Sequence, residues 1–182
     1  MKTNTSRGAA FFIASFALIM APQVAGATTI SSAPLFSLAA KPAAPLYLYI
    51  PSIKLLSNVE GVGVNEKGNM DVPSGKSNSV GWYQYGVVPG GVGTAVIDAH
   101  NTAAFKNLKD LAVGQKFYIK DAKGAWLAFK VTKSQVYSMK TLQPSTLFAA
   151  TNSRQVNLIT CAGINLGNGE ATHRLIVSAE LV

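Results

Sequence analysis

Between Leu46 and Leu181, short segments rich in Val, Ile, Tyr and Phe recur between clusters of Gly, Pro, Asn and Asp, and no stretch holds a helical period for long. That rhythm constrains the chain to an all-β domain. It predicts strands over residues 46–50, 53–56, 69–72, 80–83, 93–99, 116–120, 126–136, 155–160 and 174–181. The last alternates most clearly, with Leu175, Val177, Ala179 and Leu181 on one face and Arg174, Ile176, Ser178 and Glu180 on the other. Residues 102–108 and 144–150 read as short helical turns, the second with Pro144 near a helix start. Without a long helix or a βαβ rhythm, the architecture expected is an antiparallel barrel or sandwich, and a closed barrel would also remove exposed edges.

The first 27 residues form a unit of their own. Lys2 and Arg7 lead an apolar run from Ala9 to Ala21, followed by Pro22, Gln23 and the small residues Ala25, Gly26 and Ala27, the order of a secretory signal. At 13 residues the run is shorter than a comfortable membrane span. Counting on to Ala27 lengthens it, so a cleaved export signal and an uncleaved N-terminal membrane anchor are both open readings. Either places the rest of the chain outside the cytoplasmic membrane. Residues 28–45 are rich in Ala, Ser, Thr and Pro with Lys41 as the single charge, the composition of a linker. The domain is therefore expected at residues 46–182, large enough to bury a core without disulfide staples.

Of the net charge of +8, Lys2 and Arg7 supply two units, and the remaining +6 is spread as single lysines with no basic run and no interleaved aromatics. A nucleic-acid partner is therefore not expected. A mildly basic exterior suits work beside an anionic cell envelope, and equally a soluble surface with a positive bias.

A single cysteine in an exported chain cannot form an internal disulfide, and an exposed spare thiol outside the cell is prone to oxidation. Cys161 therefore asks for an explanation. Taken alone it reads first as a small buried hydrophobe. Its context points elsewhere: it closes the apolar run Val156-Asn157-Leu158-Ile159-Thr160 and precedes Ala162-Gly163, where a strand gives way to a loop. Nucleophiles are commonly held there, above a rigid sheet. A thiol of ordinary acidity is only a few per cent thiolate at pH 7 and needs a base or a positive charge nearby. His100, just past the strand over residues 93–99, and Arg174, opening the last strand on the face opposite its apolar stripe, can supply these. Singly, each also fits an ordinary surface role. No His, Cys or carboxylate cluster has metal-ligand spacing and no glycine-rich phosphate loop precedes a helix, so no cofactor is expected.

Together these residues resemble the sortase family, the cysteine transpeptidases of bacterial surfaces. Leu158-Ile159-Thr160-Cys161 is similar to the family's TLxTC motif, Arg174 follows 13 residues later, and His100 lies 61 residues upstream at a strand end. Ile50-Pro51-Ser52-Ile53 is similar to the family's opening strand and Val72-Pro73 to its usual Val-Pro. Gly81-Trp82-Tyr83 with Pro89-Gly90, and Phe105-Lys106-Asn107-Leu108 with Gly114-Gln115, resemble the segments flanking the histidine strand in sortases of classes E and F. The chain departs from the pattern in having Ala99 where the family usually has Gly before the histidine, and Asn157 where the motif has its first Thr.

The resemblance implies an all-β, eight-stranded sortase barrel with short helical turns. It implies that Cys161 attacks the carbonyl before the scissile bond of an LPxTG-like sorting motif to give a thioacyl enzyme. His100 would protonate the leaving amine and later deprotonate the incoming one, and Arg174 would hold the oxyanion or the substrate backbone. Thr160 is expected as a supporting substrate contact. His173 competes with His100, but successive strand residues face opposite ways, so His173 and Arg174 are not expected to line one pocket. The implied partners are proteins bearing a sorting motif, an amine acceptor on cell wall or pilin, and the bacterial envelope. Two other functions compete. One is a cysteine peptidase that hydrolyses the same intermediate; the other is a wall-associated binding domain without turnover, for which an unpaired thiol has no use. An L,D-transpeptidase fits worse, because no Ser-x-Gly-Cys arrangement surrounds Cys161.

Overall fold

Alternation decides where the strands fall. In Lys116–Asp121 the side chains of Phe117, Ile119 and Asp121 are buried while those between them reach outward. In Gly93–Asp98 the run Gly93 to Ile97 is buried without a break, as befits a strand covered on both faces. The structure, a computed structural model, describes residues 42–66, 68–73, 77–165 and 171–182. The expected export segment and nearly all of the linker lie outside the described residues.

Eight strands follow in chain order: β1 (Pro45–Ile50), β2 (Leu55–Val62), β3 (Val80–Tyr83), β4 (Gly93–Asp98), β5 (Lys116–Asp121), β6 (Trp126–Ser138), β7 (Arg154–Asn165) and β8 (Ala171–Leu181). They close into a barrel in the order β1-β2-β3-β4-β7-β8-β6-β5. Closure leaves no free sheet edge. The interior is filled by Leu48, Ile50, Val80, Ile97, Phe117, Ile119, Phe129, Leu158 and Val177, with Phe117 stacked on Phe129 at 5.5 Å between ring centres.

Several local expectations need correction. The pairings β2 with β3 and β4 with β7 are parallel, so the barrel is mixed rather than antiparallel. Residues 69–72 make no strand: only an isolated bridge joins Met70 to Val64, and Pro73 has no N–H to continue a ladder. Ile53 ends the 3-10 turn Pro51–Ile53, and the strand begins at Leu55. The helical turn expected at 102–108 is a run of turns ending in the 3-10 segment Leu108–Asp110. That expected at 144–150 shrinks to α1 (Pro144–Leu147).

A second, smaller cluster lies outside the barrel. Val96, Ile159 and Ile176, from the outer faces of β4, β7 and β8, pack against Met70, Tyr83, Tyr137, Leu142 and Leu147. The connection carrying α1 thus covers part of the outer face, and the gap beside it is the groove described next.

Candidate active site

β7 and β8 run antiparallel, and their register sets Cys161 directly across from Arg174. Directly opposed residues in such a pair share a face. β8 also pairs with β6, which places Tyr137 level with Arg174. On its other side β7 lies parallel to β4, with Asp98 level with Ile159. The Ala99 N–H donates to the Ile159 carbonyl at 3.2 Å, so the alignment continues past the end of β4. His100 therefore follows β4 at the level of Cys161, which lies within β7 rather than at its end as the sequence suggested. The nucleophile candidate is flanked by His100 on one side and Arg174 on the other.

Cys161 is a free, half-buried thiol. Its own carbonyl accepts a 3.0 Å hydrogen bond from Asn101 Nδ2, which ties the loop after His100 to the cysteine strand. Thr160 is 3% exposed, and its Oγ1 donates to the Ala99 carbonyl at 2.7 Å. That hydroxyl is committed to holding the two strands together. Arg174 is half-buried, with Nη1 donating to the His173 carbonyl at 3.3 Å. His173 lies level with Ala162 and Ser138, one step along β8 from Arg174 and so on the other face, with its Nδ1 2.8 Å from Thr172 Oγ1.

Arg174 lines a groove of about 520 Å³ on the outer face. Val96, Asp98 and Ile159 share its lining with Tyr83; Val64 and Met70 come from the segment after β2, and Met139, Leu142, Pro144, Leu147 and Phe148 from the connection between β6 and β7. The α1 wall is anchored. Asn157 Nδ2 donates to the Leu147 carbonyl at 2.8 Å, Asn157 Oδ1 accepts from Ser178 Oγ at 2.7 Å, and Thr94 Oγ1 donates to the Ala149 carbonyl at 2.8 Å. Cys161 itself lines a second cavity of about 580 Å³ with Asn101, Lys106, Lys109, Ser134, Gln135 and Gly163. The thiol and its cross-strand arginine thus line two different recesses.

Burial pushes the Asp98 carboxyl up to about 7, against the opposing pull of the Arg174 charge and of a hydrogen bond from the Ala99 N–H. Asp98, Asn101 and Asn157 were not singled out for these positions from the sequence. The signal for Asp98 was present, since it stands two residues before His100 and shares its strand face. Among the described residues no group of three or more His, Cys, Asp or Glu could hold a metal ion. Among them, too, no helix is long and apolar enough to cross a membrane.

Residues 48–182 match the family model of the sortase domain. No curated protein matches the chain. Among solved structures it is similar to sortase C1 of pilus island 1 from group B Streptococcus, at 26% identity and a TM-score of 0.57 over 75% of this chain and 64% of that one. It is also similar to sortase C from Clostridium perfringens SM101, at 26% identity and a TM-score of 0.56 over 78% and 71% of the two chains. Sortase A from Corynebacterium diphtheriae, in a lid-mutant form, matches at 24% identity and a TM-score of 0.60 over 78% and 70%, a likeness of fold. The chain spans less than two thirds of the length of the streptococcal enzyme.

Proposed function

The chain belongs to the sortase family, and on that premise we propose that it is a cysteine transpeptidase acting outside the cytoplasmic membrane on proteins that carry an LPxTG-like sorting motif. The observation that carries this reading is the cross-strand pairing of Cys161 with Arg174 beside the parallel β4–β7 pair that delivers His100.

In the first half-reaction the sorting peptide lies along the groove beside α1 and its scissile bond reaches past Arg174 to Cys161, which lines the neighbouring recess. Cys161 Sγ bonds to the carbonyl carbon before the scissile Thr–Gly bond, and the carbonyl oxygen takes up negative charge. Arg174, level with the thiol, donates to that oxyanion, and such a donor is typically worth ~10²–10³ in rate. The carbon–nitrogen bond then breaks as His100 gives a proton to the leaving amine, which departs as a neutral group. A thioacyl enzyme remains. In the second half-reaction an amine from cell wall or pilin attacks the thioester, His100 takes its proton, and Cys161 leaves as the thiolate. Thr160 acts here as a positioning residue, through Ala99, rather than by touching the peptide. The likeness to classes E and F rests on the segments around the histidine strand.

The test uses purified protein, an LPxTG peptide and a candidate amine, with product and Cys161 adduct followed by mass. Cys161→Ala is expected to lose both cleavage and transfer while staying folded. His100→Ala loses ~10²–10⁴ of turnover yet still acylates with an activated ester, which needs no proton for its leaving group. Arg174→Lys keeps the charge but loses the planar donor fork, and falls far below the control Arg154→Lys. Cleavage retained by Cys161→Ala overturns the reading.

A further inference from the structure

The groove that receives Arg174 is lined mostly by apolar side chains, yet Asp98 places a carboxyl in it. The mechanism proposed above does not use that carboxyl. Asp98 ends β4 level with Ile159 of β7 and with Gly81 of β3, so its position in the lining follows from strand register on both sides. We propose that Asp98 is a specificity-determining residue of the peptide groove, selecting a sorting peptide that sets a hydrogen-bond-donating side chain, lysine foremost, over the end of β4. The inference rests on the sortase reading and names the kind of substrate its groove takes.

An apolar side chain seated over Asp98 would strip the remaining water from the carboxyl. The group would then be buried, either as a charge or as a neutral acid, with too few partners beyond the Ala99 N–H to replace the water it lost, and both are costly. A donor on the peptide removes the penalty in either protonation state. It also leaves Arg174 free: among the described residues the guanidinium is the other charged group lining the groove, and a carboxylate without a peptide donor would compete with the oxyanion for it.

Among the described residues the titratable groups around Asp98 are few. β3 brings Tyr83 and β8 brings Arg174; β7 contributes Ile159, which does not titrate, and on its own chain His100 follows two residues later. The flanking segments give the groove apolar side chains at Val64, Met70, Leu147 and Phe148, and one uncharged amide at Asn69. With its carboxyl pushed up to about 7, Asp98 is mostly neutral at pH 6 and mostly charged at pH 8. Lysine keeps its charge across that range. Preference for lysine over methionine, which is of similar length, should therefore grow as pH rises.

The experiment measures the rate of adduct formation on Cys161 for pentapeptides based on LPxTG in which each position in turn carries Lys or Met. At one position the wild-type protein is expected to prefer Lys, with the Lys-to-Met ratio rising up to about tenfold between pH 6 and pH 8, as the charged fraction of Asp98 rises from about a tenth to about nine tenths. A ratio at fixed pH cancels every pH effect on the chemical steps that both peptides share. Asp98→Asn should abolish the pH dependence of the ratio, and Asp98→Ala should reverse it toward Met. Asp98→Asn keeps size and polarity, so the test survives an Asp98→Ala variant that fails to fold. Ratios that are the same in wild type and Asp98→Asn at every position and both pH values overturn this inference alone. Absence of any adduct with any peptide on the wild-type protein overturns the sortase reading and this inference with it.

Discussion

Thr160 is one of the few buried polar side chains among the described residues, and its hydroxyl joins the strand that carries Cys161 to the residue just before His100. Removing the donor leaves the Ala99 carbonyl buried and unpaired, a loss on the order of 1–3 kcal/mol. Thr160→Val is therefore expected to lower thermal stability and to reduce kcat more than KM, because His100 loses its register with Cys161; Thr160→Ser should restore both. A purely structural role would move the melting temperature and leave the kcat to KM split untouched. Asp98 makes the opposite kind of prediction. Its carboxyl is held near 7 in the fold against 3.8 for the ordinary group, so between those values the folded chain holds a proton that the unfolded chain has released. The contribution of Asp98 to stability then falls as pH rises from about 4 to about 7 and levels off above, by a total on the order of a few kcal/mol. Asp98→Asn should raise the melting temperature more at pH 8 than at pH 5, read by thermal melts in matched buffers. Cys161, His100 and Arg174 were legible in the sequence because a motif names them at fixed spacing. Asp98 and Asn101 belong to no such motif, and what they do depends on which strand lies alongside.

Among the elements, the connection between β6 and β7 matters most, because it forms one wall of the groove and has little helix of its own to stiffen it. α1 spans four residues, and no side chain caps its N-terminus. Its rigidity comes from outside. Asn157, standing where the family motif has a Thr, donates to the last carbonyls of α1 from a position 3% exposed on β7. Asn157→Ala should loosen that wall, raising KM for the sorting peptide severalfold with a stability loss of ~1–3 kcal/mol, checked by steady-state kinetics beside denaturant melts. Gly163 makes a sharper case. It sits at a φ of +77°, where the β7–β8 register slips, and a Cβ there would lie 2.6 Å from His173 Nδ1. Gly163→Ala is expected to destabilise the hairpin that carries both Cys161 and Arg174, and amide exchange in β7 and β8 would register it. Strand positions were readable wherever side chains alternate or run apolar: β3 was expected over 80–83, where it stands. The expectation at 69–72 failed because that segment has apolar residues but no neighbour to pair with beyond Val64. Pairing partners were illegible for the same reason, since alternation reports which way a side chain faces and not which strand lies beside it.

At the scale of the whole molecule, closure depends on β1, which pairs with β2 on one side and β5 on the other. It also supplies Leu48 and Ile50 to the interior, both with no exposed surface. The proposed boundary, with an export segment at 1–27, a linker at 28–45 and the domain from 46, then has a graded test. A chain lacking residues 1–44 should stay folded and soluble, whereas one lacking residues 1–50 should unfold or aggregate, because it opens two strand edges and empties part of the core. Circular dichroism and size-exclusion chromatography distinguish the two outcomes. The parallel meeting of β4 and β7 has a consequence in time as well as in space. His100 and Cys161 are 61 residues apart along the chain, while β5–β6 and β7–β8 are near neighbours in sequence. Loop closure of that span is an entropic cost that hairpins do not bear, and such pairings form late. In pulse-labelled exchange during refolding, protection of the β7–β8 amides should therefore precede protection along β4. A newly exported chain would then carry its thiol for a while before the histidine arrives, making oxidation during maturation, more than in the finished barrel, the hazard that its cellular surroundings must manage.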